Sequence, residues 1–170
     1  STGSTLLKCD SSGNLLWKRR YESTTAPTNY YSIEQIFETN DGNILISTGS
    51  TLLKCDSSGN LLWKRRYEST TVPINYYSIE QIFATNNGDI LISTGSTLLK
   101  CDSSGNLLWK RRYESTTAPT NYYSIEQIFE TNDGNILIST GSTLLKCDSS
   151  GNLLWKRRYE STTVPINYYS

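Results

Sequence analysis

The chain has 170 residues, enough for one domain with a substantial core, and its 16 basic and 16 acidic side chains give a formal net charge of zero. This balance gives no reason to expect a nucleic-acid partner or an anionic membrane, and no apolar run is long enough for a transmembrane helix. Histidine, the commonest general base and metal ligand, is absent. We therefore expect no catalytic centre, no metal and no cofactor.

The first predicted element is a β-hairpin. Residues 6–10 and 15–21 are two apolar-rich runs around the polar turn Ser11-Ser12-Gly13-Asn14. Both faces of the runs carry apolar residues, which is typical of a sheet covered on both sides. The stretch Lys18-Arg19-Arg20 fits either a solvated outer strand, whose charges discourage edge pairing, or a site for a polyanion. We favour the outer strand.

A polar segment over residues 22–31 follows, and its length suits a connection between sheets. It ends in a tyrosine pair. An aromatic ligand platform and ordinary packing by residues with polar tips are both compatible with such a pair. The tyrosines of these pairs are Tyr30, Tyr31, Tyr76, Tyr77, Tyr122 and Tyr123.

Residues 32–39 are ambiguous, because their apolar positions have helical spacing and Ser32 with Gln35 imitates a capping box. A helix of two turns is marginal, however, and the segment runs directly into the hairpin turn Asn40-Asp41-Gly42-Asn43 and the apolar run 44–48. Since such a turn needs a strand on each side, we predict a strand over residues 33–39.

Two glutamates on that predicted strand, Glu34 and Glu38, invite comparison with a catalytic carboxylate pair. Four positions along a strand separate them by roughly 13 Å. That separation is wider than in glycosidase pairs, so we reject this interpretation.

The whole pattern recurs with a step of 46 residues. Units begin at Ser1, Ser47, Ser93 and Ser139, and the fourth ends at Ser170 after 32 residues. Two versions of the unit alternate and are otherwise identical. This near-identity indicates a designed or engineered protein or a very recent gene amplification, and the sequence does not decide between them.

Four antiparallel strands in a period between about 40 and 50 residues are typical of a β-propeller blade. We predict an all-β propeller over residues 1–170, as one domain or as part of an oligomeric ring, with strand 33–39 innermost. The fourth unit stops before the part that corresponds to residues 79–92. A longer chain or another chain would therefore complete that blade, and two chains would give an eight-unit ring.

Each unit contains one cysteine. We expect Cys9, Cys55, Cys101 and Cys147 to be free, because equivalent buried sites in successive units lie too far apart for a disulfide. Free cysteines fit a reducing compartment such as the cytoplasm, or a recombinant product. The first residues also lack the basic and apolar regions of a signal peptide.

The stretch from Lys8 to Trp17 reads Lys-x-Asp-x-x-Gly-x-x-x-Trp. It resembles the repeats of propellers related to the pyrroloquinoline quinone dehydrogenases, and it is closer to the non-catalytic repeats of that group. The resemblance implies a tryptophan that docks between blades and an aspartate at the turn, without the adjacent cysteines and calcium carboxylates of the dehydrogenases. The residues concerned are Trp17, Trp63, Trp109 and Trp155, with Asp10, Asp56, Asp102 and Asp148.

These observations predict a structural, self-assembling and near-symmetric propeller scaffold that partners itself and lacks enzymatic activity. The alternative is a multivalent, lectin-like or peptide-binding module with one shallow site per blade near the long loops.

Overall fold

The structure is a computed structural model that describes residues 3–22, 30–69, 76–114 and 122–159. It begins with an antiparallel hairpin of β1 (Thr5–Cys9) and β2 (Leu15–Arg20), which we call the half-blade. Residues 23–29 of the predicted connection lie outside the described residues. Its two ends meet, since Glu22 and Tyr30 form an isolated antiparallel bridge.

Three four-stranded antiparallel sheets follow, each with its strands in chain order. Blade 1 contains β3 (Gln35–Glu38), β4 (Ile44–Thr48), β5 (Thr51–Cys55) and β6 (Leu61–Arg66). Blade 2 contains β7 (Gln81–Ala84), β8 (Ile90–Thr94), β9 (Thr97–Cys101) and β10 (Leu107–Arg112). Blade 3 contains β11 (Gln127–Glu130), β12 (Ile136–Thr140), β13 (Thr143–Cys147) and β14 (Leu153–Arg158).

The ambiguous segment is a strand, as predicted, but a shorter one. β3 begins at Gln35 rather than at residue 33, because the Ile33 amide donates to the Gly3 carbonyl of the half-blade (2.8 Å) instead of joining the ladder. The copies in blades 2 and 3 have the same bounds within their units. The inner strand is therefore tied at its start to the neighbouring hairpin.

The turn from β3 to β4 explains why a strand forms here. The Thr39 amide donates to the Asn43 carbonyl (2.9 Å) and the Gly42 amide to the Thr39 carbonyl (2.8 Å). Gly42 has φ of 74°, in the left-handed region that glycine adopts without steric cost. This compact turn fixes the register of Glu38 opposite Ile44.

The core lies between the sheets. β5 and β9 are buried along their whole length, so both faces of blades 1 and 2 are covered, as the apolar pattern predicts. In blade 3, alternate positions of β12 and β13 are only partly buried. The outermost strands β2, β6, β10 and β14 are almost entirely exposed. This exposure supports the interpretation of their Lys-Arg-Arg stretches as solvated outer strands.

The inner strands of successive blades meet. β3 contacts β7, and β7 contacts β11. The rings of Phe37 and Phe83 lie 5.6 Å apart at the first of these contacts. The prediction of an all-β propeller with this strand innermost is confirmed, and the sheets form an arc that is not closed within the described residues.

The cysteines require one correction. All four are free, and Cys55, Cys101 and Cys147 are buried as expected, but Cys9 is exposed. In the complete blades the cysteine strand pairs with an inner strand, for example Cys55 with Ile44. β1 pairs only with β2 among the described strands, so nothing covers its cysteine.

Candidate functional site

The most regular constellation in the molecule is the contact between one blade and the next. The indole of Trp17 lies on blade 1, where its Nε1 donates to the Ser57 carbonyl (3.1 Å). A Cβ built on Gly59 would lie about 3.0 Å from the indole ring and 2.9 Å from Arg19 Cγ, so the side chains packed there would have to shift. Glycine is required there both for this approach and for its φ of 78°.

The same contact recurs along the chain. Trp63 packs on Gly105, and Trp109 packs on Gly151. Trp109 also donates to the Ser149 carbonyl (3.3 Å). An arginine two residues after each tryptophan places its guanidinium about 6 Å from the ring centre, for example Arg65 over Trp63 at 5.9 Å.

Each contact includes a buried tyrosine that the sequence analysis did not single out. The Tyr21 hydroxyl donates to the Gly59 carbonyl (3.1 Å), and Tyr67 and Tyr113 repeat this bond. Burial is the main cause that raises the pKa of these phenols. The sequence feature that could have identified these tyrosines is their position, since a tyrosine directly follows every Lys-Arg-Arg stretch.

The aspartates of the repeated motif stabilise the turn whose carbonyl groups accept from the tryptophan and the tyrosine. We call this turn the acceptor turn. Asp10 Oδ1 accepts from the amides of Ser12 (2.9 Å) and Asn14 (2.8 Å), and its Oδ2 accepts from the Asn14 side chain (2.9 Å). The Asn14 side chain is the first cause that lowers the pKa of Asp10. Asp56, Asp102 and Asp148 make the same bonds. These carboxylates stabilise the turn that the preceding blade contacts.

A buried lysine crosses the contact between blades 1 and 2 and the contact between blades 2 and 3, and both lysines were missed from the sequence. Lys54 Nζ lies 3.2 Å from Asp41 in its own blade and 3.4 Å from the Ser103 carbonyl in the next. Lys100 pairs with Asp89 at 3.0 Å. The two unit versions exchange Asp and Asn at the turn, yet each keeps one carboxylate for its lysine.

The tyrosine pairs divide between two environments. The first member is exposed and lies beside an arginine, as in Tyr76, where Arg66 is 4.7 Å from the ring centre. Tyr30 and Tyr122 repeat this arrangement with Arg20 and Arg112. The second members, Tyr31, Tyr77 and Tyr123, pack against the core clusters.

Trp155 differs from its three copies. No residue in the described part of the chain packs on it from a following blade, and 36% of its surface is exposed. Tyr159 is 56% exposed, whereas Tyr21, Tyr67 and Tyr113 are 6–7% exposed. Blade 3 therefore presents the tryptophan side of a contact to solvent.

The described residues contain no group of three or more Cys, Asp and Glu side chains that could hold a metal ion. They also include no helix that could span a lipid bilayer. What the repeated constellation provides is hydrogen bonds, ring contacts and ion pairs that join one blade to the next.

No protein-family model matches the sequence, and no curated protein is similar to it at the level of sequence. Solved structures do match the fold. A Bacteroides caccae protein of unknown function has a TM-score of 0.58 at 18% identity, over 89% of this chain and 52% of that one. BamB from Moraxella catarrhalis has a TM-score of 0.59 at 14% identity, over 89% of this chain and 43% of that one.

A catalytically inactive virginiamycin B lyase from Staphylococcus aureus, crystallised with quinupristin, has a TM-score of 0.60 at 14% identity, over 94% of this chain and 57% of that one. The chain thus spans about half the length of these structures. The likenesses define the class as an all-β propeller of four-stranded blades. At sequence identities this low, the likenesses show the fold and nothing about function.

Proposed function

We propose that this protein is a structural scaffold without catalytic activity, which associates head to tail with a second copy through the contact that joins its own blades. The observation that carries the proposal is that the two ends of the arc expose the two halves of that contact. In this proposal it uses no cofactor and needs no nucleic acid or membrane, and its free cysteines suit the cytoplasm.

One half of the contact lies on blade 3. Trp155 is exposed there, with Arg157 5.8 Å from its ring centre, as Arg111 is from Trp109. The side chain is therefore already arranged as in the contacts within the chain. Little conformational freedom would be lost on docking, which favours association.

The other half of the contact lies on the half-blade. Its turn has the same hydrogen bonds as the acceptor turns of the blades, and Gly13 has φ of 84°. A Cβ at Gly13 would meet nothing within 4 Å, whereas one at Gly59 would meet the docked tryptophan. The acceptor surface is therefore formed and open.

Binding of blade 3 of one chain (the tail) to the half-blade of the next (the head) is a heterologous interface. Such an interface closes into a ring only if the rotation between successive chains allows it. With four blade positions per chain, two chains would make the eight-unit ring. A ring leaves fewer exposed edges than an open arc, so closure is favoured over a filament.

Light scattering coupled to size exclusion tests the proposal. We expect a mass of two chains of 19.2 kDa each for the unmodified protein. Trp155→Ala and, separately, Gly13→Asn should give single chains, because each removes one half of the contact. Asparagine is chosen because it tolerates a positive φ better than other residues with a Cβ.

Two further results complete the test. Mixing the two variants should restore a mass of two chains, because the tail of the Gly13→Asn chain can bind the head of the Trp155→Ala chain. This pair is held by one contact only and should dissociate at a higher concentration than the unmodified pair. A single-chain mass for the unmodified protein at high concentration would refute the association, and the fold would stand.

A second candidate function is a multivalent binding module. Two clefts at equivalent positions of the repeat favour it. One of about 180 Å³ is lined by Tyr31, Thr51, Lys64, Arg65 and Arg66. The other, of about 200 Å³, is lined by the residues at the same repeat positions, Tyr77, Thr97, Lys110, Arg111 and Arg112. Titration against a panel of glycans and peptides tests this candidate. Binding at several equivalent sites that is lost when Tyr31 and Tyr77 are replaced by alanine supports it over the pure scaffold.

A further inference from the structure

We propose that the outer strands of the repeat bind a sulfated oligosaccharide, held by the arginines of their Lys-Arg-Arg stretches. The inference rests on the second candidate function above and names its class of ligand. The sites are the two equivalent clefts, which we call cleft 1, on blade 1, and cleft 2, on blade 2. Each is lined by the three cations of an outer strand, a threonine of the strand beside it and the second tyrosine of a pair.

The outer strands carry positive charges that the described residues do not neutralise. All three ion pairs in this part of the chain join a lysine of a blade's third strand to an aspartate of its inner turn. Lys64, Arg65 and Arg66 are exposed and form no ion pair with any described residue. The connection over residues 70–75, which follows this stretch, contains no acidic residue. The net charge of zero thus conceals a local positive excess, which attracts anions.

The guanidinium of Arg66 is fixed in position before any ligand binds. Its Nε donates to the Thr51 hydroxyl (3.2 Å), and its plane lies 4.7 Å from the centre of the Tyr76 ring. Arg112 in cleft 2 repeats both contacts, at 3.2 and 4.8 Å. The bond to threonine uses only Nε, so the terminal nitrogens present a planar fork of donors. Such a fork binds two oxygens of a tetrahedral oxyanion, and little freedom is lost because it is already oriented.

The two clefts are joined into one path across the contact between blades 1 and 2. A third cleft, of about 470 Å³, is lined by Arg65 and Arg66 of blade 1 and by Lys110 of blade 2. The two arginines also line cleft 1, and the lysine also lines cleft 2. Glu68 lines the third cleft without forming an ion pair among the described residues. The path therefore alternates between cationic clefts and a mixed segment, which fits a linear ligand with anionic groups at intervals.

This pattern favours a saccharide over a nucleic acid. Single-stranded nucleic acid carries a phosphate at every residue and stacks its bases on open aromatic faces. The exposed rings beside the clefts, Tyr76 and Tyr122, already have an arginine over one face. A sulfated saccharide needs no stacking platform and can carry its charges only where the clefts offer cations.

Isothermal titration calorimetry on the unmodified full chain provides the test. The probe is a sulfated glucose octasaccharide, and its matched control is the same octasaccharide without sulfate. We expect saturable binding of the sulfated form and no binding of the unsulfated one. A single-stranded DNA oligonucleotide of similar net charge represents the other class of polyanion and should bind more weakly.

Three paired variants locate the site. Arg66→Gln with Arg112→Gln should weaken binding at least about tenfold, because each removes the oriented fork of one cleft. Lys8→Gln with Lys146→Gln removes the same charge outside the clefts and should change affinity by less than about twofold at physiological salt. Arg66→Lys with Arg112→Lys keeps the charge but not the fork and should weaken binding several-fold. The lysine pair keeps the test decisive if the glutamine pair folds poorly.

Several results would overturn the inference. They are no binding of the sulfated octasaccharide, equal binding of the unsulfated one, tighter binding of the DNA, an equal loss in the Lys8 and Lys146 pair, and full affinity in the lysine pair. Equal binding of the unsulfated octasaccharide, lost on replacement of Tyr31 and Tyr77, would leave the second candidate function in place. None of these results bears on the head-to-tail contact, whose own test is the mass of the chain in solution.

Discussion

The centre of the arc and its two ends are built from the same residues but do not have the same structure. Trp109 and Tyr113 in blade 2 are packed on blade 3, whereas their copies Trp155 and Tyr159 face solvent. The repeat sequence alone therefore does not determine burial. Each residue gains its environment from the unit that follows or precedes it, as expected for a quasi-one-dimensional array.

The largest expected difference between centre and end concerns the tryptophans. Trp109→Ala should lower the free energy of unfolding by about 3 kcal/mol, because it leaves a cavity against Gly151 and removes the bond to Ser149. Trp155→Ala should change it by less than about 0.5 kcal/mol in the single chain. Urea denaturation at low protein concentration measures both; equal losses would contradict the distinction.

The buried lysines should show the next largest difference. Lys100→Met should cost about 2 kcal/mol, because Asp89 keeps its charge with only 19% of its side chain exposed. The double variant Lys100→Met with Asp89→Asn should recover most of that loss. Lys8→Met on the half-blade should be within about 0.5 kcal/mol of the unmodified chain. The same denaturation experiment measures all three.

Acid should weaken blade 1. The Thr39 hydroxyl, with help from Asn43 and Lys54, lowers the pKa of Asp41 from 3.8 to about 2. Since this pKa is lower in the folded state, the stabilisation is present above about pH 4 and is lost as the pH falls towards about 2. The effect is small for one carboxylate, because half of its side chain is exposed.

Melting temperature between pH 6 and pH 2 measures this loss. The control is Asp41→Asn, in which the slope of melting temperature against pH should be shallower below pH 4. An unchanged slope would mean that Asp41 titrates alike in the folded and unfolded chain.

The smallest expected effect comes from interchanging the two unit versions. Asp41→Asn alone should cost up to about 1 kcal/mol by removing the partner of Lys54. Adding Asn43→Asp should restore most of it, because blade 2 pairs Lys100 with an aspartate at that second position. Thermal melts of the single and double variants decide this. A double variant no better than the single one would show that the turn positions are not equivalent.

The fold was predictable because periodicity reports on it directly. The 46-residue step, the Gly42 turn and the apolar character of both faces indicate four-stranded blades, and all of these appear in the structure. The exposure of Cys9 was not predictable, because the repeat pattern describes an average unit and not its neighbours.

The contact between blades was only partly predictable. The tryptophan and the aspartate at the turn were both expected from the resemblance to known propeller repeats. Tyr21 was missed because it follows a charged stretch that reads as solvent-exposed, and Lys54 because a lysine is ordinarily expected at the surface. Both are buried beside a turn of the next blade. A partner that lies 38 or 49 positions along the chain leaves no local signal.

Each complete blade takes its innermost strand and most of its second strand from one sequence unit and its two outer strands from the next, since β4 of blade 1 crosses the unit boundary at Ser47. The 46-residue sequence units and the blades of the structure therefore begin at different points of the repeat. Unequal crossing-over between two copies of the coding repeat would insert or delete 46 residues and leave every hairpin and every contact between blades intact. Blade number can thus change by whole steps at the level of DNA without an intermediate that has to fold differently.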